Sequence, residues 1–246
     1  MDLGLSGRTA IVCGASSGIG LGIAESLADE GADVVMFARR PELLEREAER
    51  IGGLSVAGDV TSRADLERLV TTTVDAYGGI DILVNNSGGP PRSTAVELDA
   101  AKVEAAVALL LVSVVRLTGL CLPYLERSPA GRIVNVTSTT VREPIDDLAL
   151  SNAIRPGVVG WAKSLARELG PKGITVNCLA PGSIDTDRIR EVYPDGPSED
   201  DLAAIPLRRL GTTREIGDVV AFLCSERASY VSGTVMLVDG ASTRGL

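Results

Sequence analysis

Short apolar runs alternate with amphipathic stretches along almost the whole chain. "TAIVC" (9–13), "DVVMFA" (33–38), "LSVAGDV" (54–60), "IDILVNN" (80–86), "RIVNVTS" (132–138), "ITVNCLAPG" (174–182) and "TVMLVDG" (234–240) are rich in β-branched residues and predict seven strands. Between them, 18–31 predicts a helix behind a glycine-rich turn. The stretch 41–52 predicts one with Pro41 in its first turn, and 62–78 one capped by Ser62. In "GVVGWAKSLARELG" (157–170), Val158, Ala162, Leu165 and Leu169 share one stripe, the 3.6-residue period of a helix with a buried face. Strand and helix in alternation predict an α/β fold, a doubly wound parallel sheet with helices on both faces. The one long irregular stretch is 183–206. Its proline, glycine and acidic residues suit a mobile substrate lid better than a linker, so a single domain spanning 1–246 is expected.

Charge narrows the partners. With 24 basic and 33 acidic residues the chain carries a net charge of −9, which argues against a nucleic-acid backbone or an anionic membrane as main partner. No run approaches about 20 uninterrupted apolar residues and "MDLGLSGR" lacks a signal-peptide core, so cytoplasmic residence is expected. Cys13, Cys121, Cys178 and Cys224 stand apart in apolar stretches, as core thiols do; no metal site is expected. The chain has no histidine, which removes Ser-His-Asp hydrolysis and histidine base chemistry.

"CGASSGIG" sets Gly14, Gly18 and Gly20 between the first strand and its helix. Glycine allows the tight turn and lets backbone N–H groups approach a pyrophosphate at the helix N-terminus. This turn, "NNSGG" (85–89), Ser138 after "GRIVNVT", "GPKGITVNCLAPGSIDT" (170–186) and "SGTVMLVDG" (232–240) occur in order and at consistent separations. In them the chain resembles the short-chain dehydrogenase/reductase family, in the compact form of the bacterial 3-oxoacyl-carrier-protein reductases. The resemblance implies a Rossmann-like fold, a nicotinamide dinucleotide, a small-molecule substrate and a homo-oligomer, tetramer or dimer, built on long helices around 101–127 and 151–169. It also implies roles for particular residues. Gly14, Ser16, Ser17, Gly18, Ile19 and Gly20 would hold pyrophosphate and adenosine ribose, and Asp59 and Val60 would flank the adenine. Asn86, Ser87 and Gly88 would form the floor, and Pro181, Gly182, Ile184 and Thr186 would meet the nicotinamide carboxamide. The second strand ends in Ala38, Arg39 and Arg40 with no acid at its tip, which favours NADP(H) over NAD(H), because a guanidinium suits a 2′-phosphate.

The family's proton-donating pair is missing. Ser138 matches its serine, but Ser151 stands where the tyrosine belongs, Arg155 at the lysine and Leu110 at the asparagine. Lys163 lies ~12 Å further along the helix, and Tyr193 falls in the expected lid, where surface packing is the expectation. Pro156 lacks an N–H and pushes Arg155 off helical geometry, so the helix should begin or kink there. A serine hydroxyl is too weak an acid to replace an activated phenol. Hydride addition to a conjugated C=C instead leaves an enolate, which needs an electrostatic clamp. Ser138, Ser151 and Arg155 could supply one, with Arg142, Glu143, Asp146 and Asp147 nearby. "REP…LSN…R" with "APGSIDTDR" is similar to reductases of bacterial antibiotic-precursor pathways that act on conjugated olefins. Two functions stay open: an NADP(H)-dependent oxidoreductase acting on a carbonyl or an enone, and a non-catalytic dinucleotide-binding sensor or assembly subunit.

Overall fold

The structure, a computed structural model, describes residues 2–193 and 195–245. Its strands are β1 (Thr9–Cys13), β2 (Asp33–Ala38), β3 (Leu54–Ala57), β4 (Ile82–Asn85), β5 (Arg132–Val136), β6 (Thr175–Pro181) and β7 (Val235–Val238). Each expected strand is present, most of them trimmed where the chain leaves the ladder for a loop. All pairings are parallel, in the order β3-β2-β1-β4-β5-β6-β7. The order reverses between β1 and β4, and such a switch point opens a crevice at the carboxyl ends of the strands.

The apolar runs are continuous because both faces of the sheet are covered. Ala10, Val12, Val34 and Met36 face one way, onto Ile23 and Leu27 of α1 (Gly18–Asp29) and Ile216 and Val220 of α9 (Thr213–Cys224). Ile11, Cys13, Val35 and Phe37 face the other way, onto α3 (Arg63–Tyr77), α5 (Ser113–Leu125) and α6 (Ala149–Leu169) through Leu66, Leu69, Leu117 and Leu165. Each fully buried aliphatic side chain of this kind contributes about 1.5–3 kcal/mol. Helix α2 (Pro41–Ile51) closes the β2–β3 connection. All four cysteines are free and buried; burial pushes the thiols of Cys13, Cys178 and Cys224 up to about 12, so they are packing groups.

Two helices differ from simple expectation. Helix α4 (Ala100–Val107) runs into α5 through a π-helical turn, Ala108–Val112. The combined Ala100–Leu125 is long and apolar enough by composition to cross a membrane, yet it packs along the sheet with a third of its most apolar window buried. Helix α6 does not begin at Pro156. It starts at Ala149 and runs through the proline to Leu169. Tertiary contacts hold the turns that proline would loosen: the Asn152 amide exchanges two hydrogen bonds with the Ile145 backbone, at 3.1 and 2.9 Å. Leu150, Ser151 and Ile154 are buried beneath it. Packing therefore outweighs the local preference of the residue before proline.

Candidate active site

The β1–α1 turn is built for close approach. Gly14 and Gly18 have φ of +63° and +56°, the left-handed region where side chains are strained. A Cβ on Gly20 would lie 2.2 Å from the Gly14 carbonyl oxygen, so only glycine packs the helix start against the turn. Ser17, the N-cap of α1, is extended and its side chain caps no N–H, which leaves the first-turn donors facing the crevice. Asn86 Nδ2 donates to the Cys13 carbonyl (3.1 Å) and pins the floor after β4 to the end of β1.

Two cavities flank this turn. The first, about 650 Å³, is lined by Gly14, Ser16, Ser17, Arg39, Arg40, Asp59, Val60, Asn86, Ser87 and Gly88. Arg40 donates to the hydroxyls of Ser17 (2.6 Å) and Ser16 (3.2 Å), so its guanidinium is held over the phosphate turn. The Asp59 carboxylate accepts the backbone N–H and hydroxyl of Thr61 (2.8 and 2.7 Å). Those bonds, with the charge of Arg39, hold it below the usual carboxylate range. The second cavity, about 330 Å³, continues past the turn. Gly18, Ile19, Gly20, Asn86, Ser87 and Gly88 form one side, Val136, Thr137 and Arg155 the back, and Gly182, Ile184, Thr186 and Asp187–Ile189 the far wall. Pro181 ends β6, buried, and delivers Gly182, where a Cβ would come within 2.7 Å of Asp239. A positive turn with open N–H groups between two cavities fits a dinucleotide, the adenosine half toward Arg39 and Arg40 and the nicotinamide half toward Arg155.

The three candidate catalytic residues are placed differently. Arg155 reaches the back of the second cavity; its Nη1 donates to the Val136 carbonyl (3.1 Å), while its buried Nε has no partner. Burial alone draws its pKa down to about 10, so it is cationic at neutral pH. Ser138 is half-buried at the start of the 139–141 turn, its Oγ accepting from the Thr140 N–H (3.3 Å). Ser151 is 4% exposed, its Oγ 3.0 Å from Thr140 Oγ1. The Ser151 hydroxyl thus braces the loop that carries Ser138. Leu110, in the π-helical turn, packs with Ala106, Leu150 and Ile154, an apolar cluster along α4 and α6.

The other candidates lie apart. Lys163 donates to the Gly233 carbonyl (2.9 Å). Tyr193, between α7 (Asp187–Val192) and α8 (Glu199–Ala203), is raised in pKa by burial and then by the charge and hydrogen bond of Asp201, opposite to the tuning of a proton donor. Pro194, within the 183–206 stretch, lies outside the described residues. Glu143 accepts from the Arg244 backbone N–H (3.3 Å), Arg142 and Asp146 are exposed, and Asp147 faces Arg92 at 3.8 Å. Three contributors escaped sequence reasoning: Thr137, Thr140 and Asn152. "NVTSTT" and "LSNA" hold the right residue types, but only three-dimensional proximity pairs Thr140 with Ser151, eleven positions away.

A family model described as enoyl-(acyl carrier protein) reductase matches residues 14–243. A dehydrogenase/reductase SDR family member 4 from Oryctolagus cuniculus is 36% identical over 248 residues, 98% of this chain and 95% of the relative. The 3-oxoacyl-[acyl-carrier-protein] reductase FabG of Vibrio cholerae is 36% identical over 240 residues, 97% of this chain and 98% of the relative. Among solved structures, L-sorbose reductase from Gluconobacter frateurii, complexed with NADPH and L-sorbose, superposes with a TM-score of 0.92 at 32% identity, covering 100% of both chains. YwfH, an NADPH-dependent reductase involved in bacilysin biosynthesis, gives 0.92 at 28% identity, covering 97% of this chain and 99% of that one.

Proposed function

The chain belongs to the short-chain dehydrogenase/reductase family, and on that footing we propose that it is an NADP(H)-dependent reductase whose preferred substrate is a conjugated enone. The observation that carries this reading is the side-chain set at the back of the second cavity. Among the described residues lining it, the charged ones are Arg155, Asp187 and Arg188, and no phenol is among them.

NADPH, when bound, supplies the hydride. The first-turn N–H groups of α1 hold its pyrophosphate, and Arg40 and Arg39 meet the 2′-phosphate; the NADPH complexes of related structures support that choice. Thr137 is fixed by its own hydroxyl and N–H to the Leu179 carbonyl (2.8 and 2.7 Å) and keeps the cavity's back in place. Arg155 would hold the substrate oxygen on which negative charge develops, and Ser138, next to the cavity-lining Thr137, would donate a hydrogen bond to it. Ser151 and Thr140 position the Ser138 loop. Water protonates the resulting enolate, so no side-chain acid is required. The segments carrying α7 and α8 would close over the substrate as a lid. Exposed Val103, Val112 and Val115 along the α4–α5 run suit burial against a second copy, which supports a homo-oligomer, tetramer or dimer.

The deciding experiment follows NADPH oxidation at 340 nm against paired ketones and conjugated enones, with products identified by mass and NMR. Saturated-ketone product is expected. Alcohol product would move the assignment to carbonyl reduction with an ordered water as acid. Tight NADPH binding without turnover on any substrate would favour the non-catalytic dinucleotide-binding subunit.

A further inference from the structure

Among the described residues, the charge of Arg155 is unanswered. Its guanidinium meets one neutral carbonyl, its Nε meets nothing, and among the described residues it forms no ion pair. Burial is the sole influence on its protonation, and a guanidinium stays charged at any working pH. The other charged residues lining this cavity, Asp187 and Arg188, are exposed and opposite in sign to each other; Asp187 is 67% exposed and engaged by Arg190 at 2.8 Å.

This placement bears unequally on the two redox states of a nicotinamide. The ring is neutral when reduced and carries one positive charge when oxidised, while pyrophosphate, riboses and 2′-phosphate are the same in both. A fixed cation at the back of the cavity acts alike on the phosphates of both forms and repels the ring only when it is oxidised. We infer that Arg155 makes the cavity discriminate between the redox states of the cofactor, holding NADPH more tightly than NADP+ and expelling NADP+ once hydride has been delivered. The inference rests on the NADP(H) reading above and concerns cofactor exchange: the charge hastens release of the spent, oxidised cofactor.

The size of the effect follows from Coulomb's law. At an effective dielectric of about 20 and a separation the width of a nucleotide pocket, two unit charges change affinity on the order of tenfold. The test is isothermal titration of the intact chain with NADPH and with NADP+, in wild type, Arg155→Gln and Arg155→Lys. Wild type should bind NADPH roughly tenfold more tightly, Arg155→Gln should bring the two within about threefold, and Arg155→Lys should keep the gap. Arg40→Ala, which touches a part common to both nucleotides, should weaken both alike and leave the ratio standing. Equal affinities in wild type, or an unchanged ratio in Arg155→Gln, overturn the inference. Should the glutamine variant fail to fold, the wild-type ratio in low and high salt decides. A preference set by a buried charge survives salt, and one that vanishes by about 0.5 M belongs to exposed groups and refutes the assignment. If folded wild type binds NADH and ignores NADPH, the NADP(H) reading has failed in its own right, separately from any redox preference.

Discussion

The two ends of the crevice are held by different kinds of constraint. At the phosphate end, backbone meets backbone: the Gly14 carbonyl sits where a Gly20 side chain would begin, and two glycines adopt positive φ. At the α6 end, side chains set the chemistry on a backbone that would accept many of them. Ser151 and Arg155 occupy an intact helix, braced by Asn152 and Thr140, with Leu110 and Ile154 packed behind. Steric necessity preserves the first end, because any Cβ there collides. The second end can change its reactive groups without changing its shape, so cofactor binding can persist while the proton-transfer chemistry is replaced.

The strongest way to break this comparison is at the turn. Gly20→Ala should weaken NADPH binding by roughly a hundredfold, about 3 kcal/mol, because the α1 N-terminus must shift from the Gly14 carbonyl. Fluorescence titration with NADPH reads this directly, and an affinity within threefold of wild type would show that the turn tolerates what its geometry forbids. A second variant probes the other end. Ser151→Tyr restores the family's residue at a site that is 4% exposed and already filled, so it should lower stability by about 1–3 kcal/mol without creating alcohol-forming activity. A thermal melt and a ketone assay together check it; a stable variant that makes alcohol would mean the cavity had room for the phenol all along.

The smallest expected effect sharpens the comparison at the far wall. Glu215 caps α9 in a box with Thr212 (2.8 and 3.1 Å) and accepts a fork from Arg209 (2.9 and 2.6 Å), beside Gly211, which bridges to Ile184 of the cavity wall. The Arg209 hydrogen bonds, then the Thr212 N–H, lower its pKa to about 2. A carboxyl depressed in the folded state stabilises above its unfolded pKa of about 4.3 and loses that contribution as pH falls toward 2. Because solvent screens a side chain that is 42% exposed, Glu215→Gln should cost only about 1 kcal/mol at pH 7 and make stability flatter between roughly pH 4.5 and 2. Urea melts across that range measure it, and parallel curves for both proteins would remove Glu215 from the account.

Much of this molecule was legible in the chain alone. Seven apolar runs and the turn of Gly14, Gly18 and Gly20 specify a parallel sheet with a tight glycine turn at its switch point, because these rest on local sterics and the period of apolar positions. The chain also sets Ser151 and Arg155 where the family resemblance implies a tyrosine and a lysine. Local rules misjudged Pro156, since the residue before a proline disfavours helix by itself but not when Asn152, Ser151 and Ile154 are held by other segments. Nor could sequence spacing tell that Ser151 turns to Thr140 while Arg155, one helical turn away, enters the cavity with its charge unmatched. Those outcomes depend on which surfaces meet across strands and helices far apart in the chain, and burial, unlike periodicity, is a property of the assembled structure.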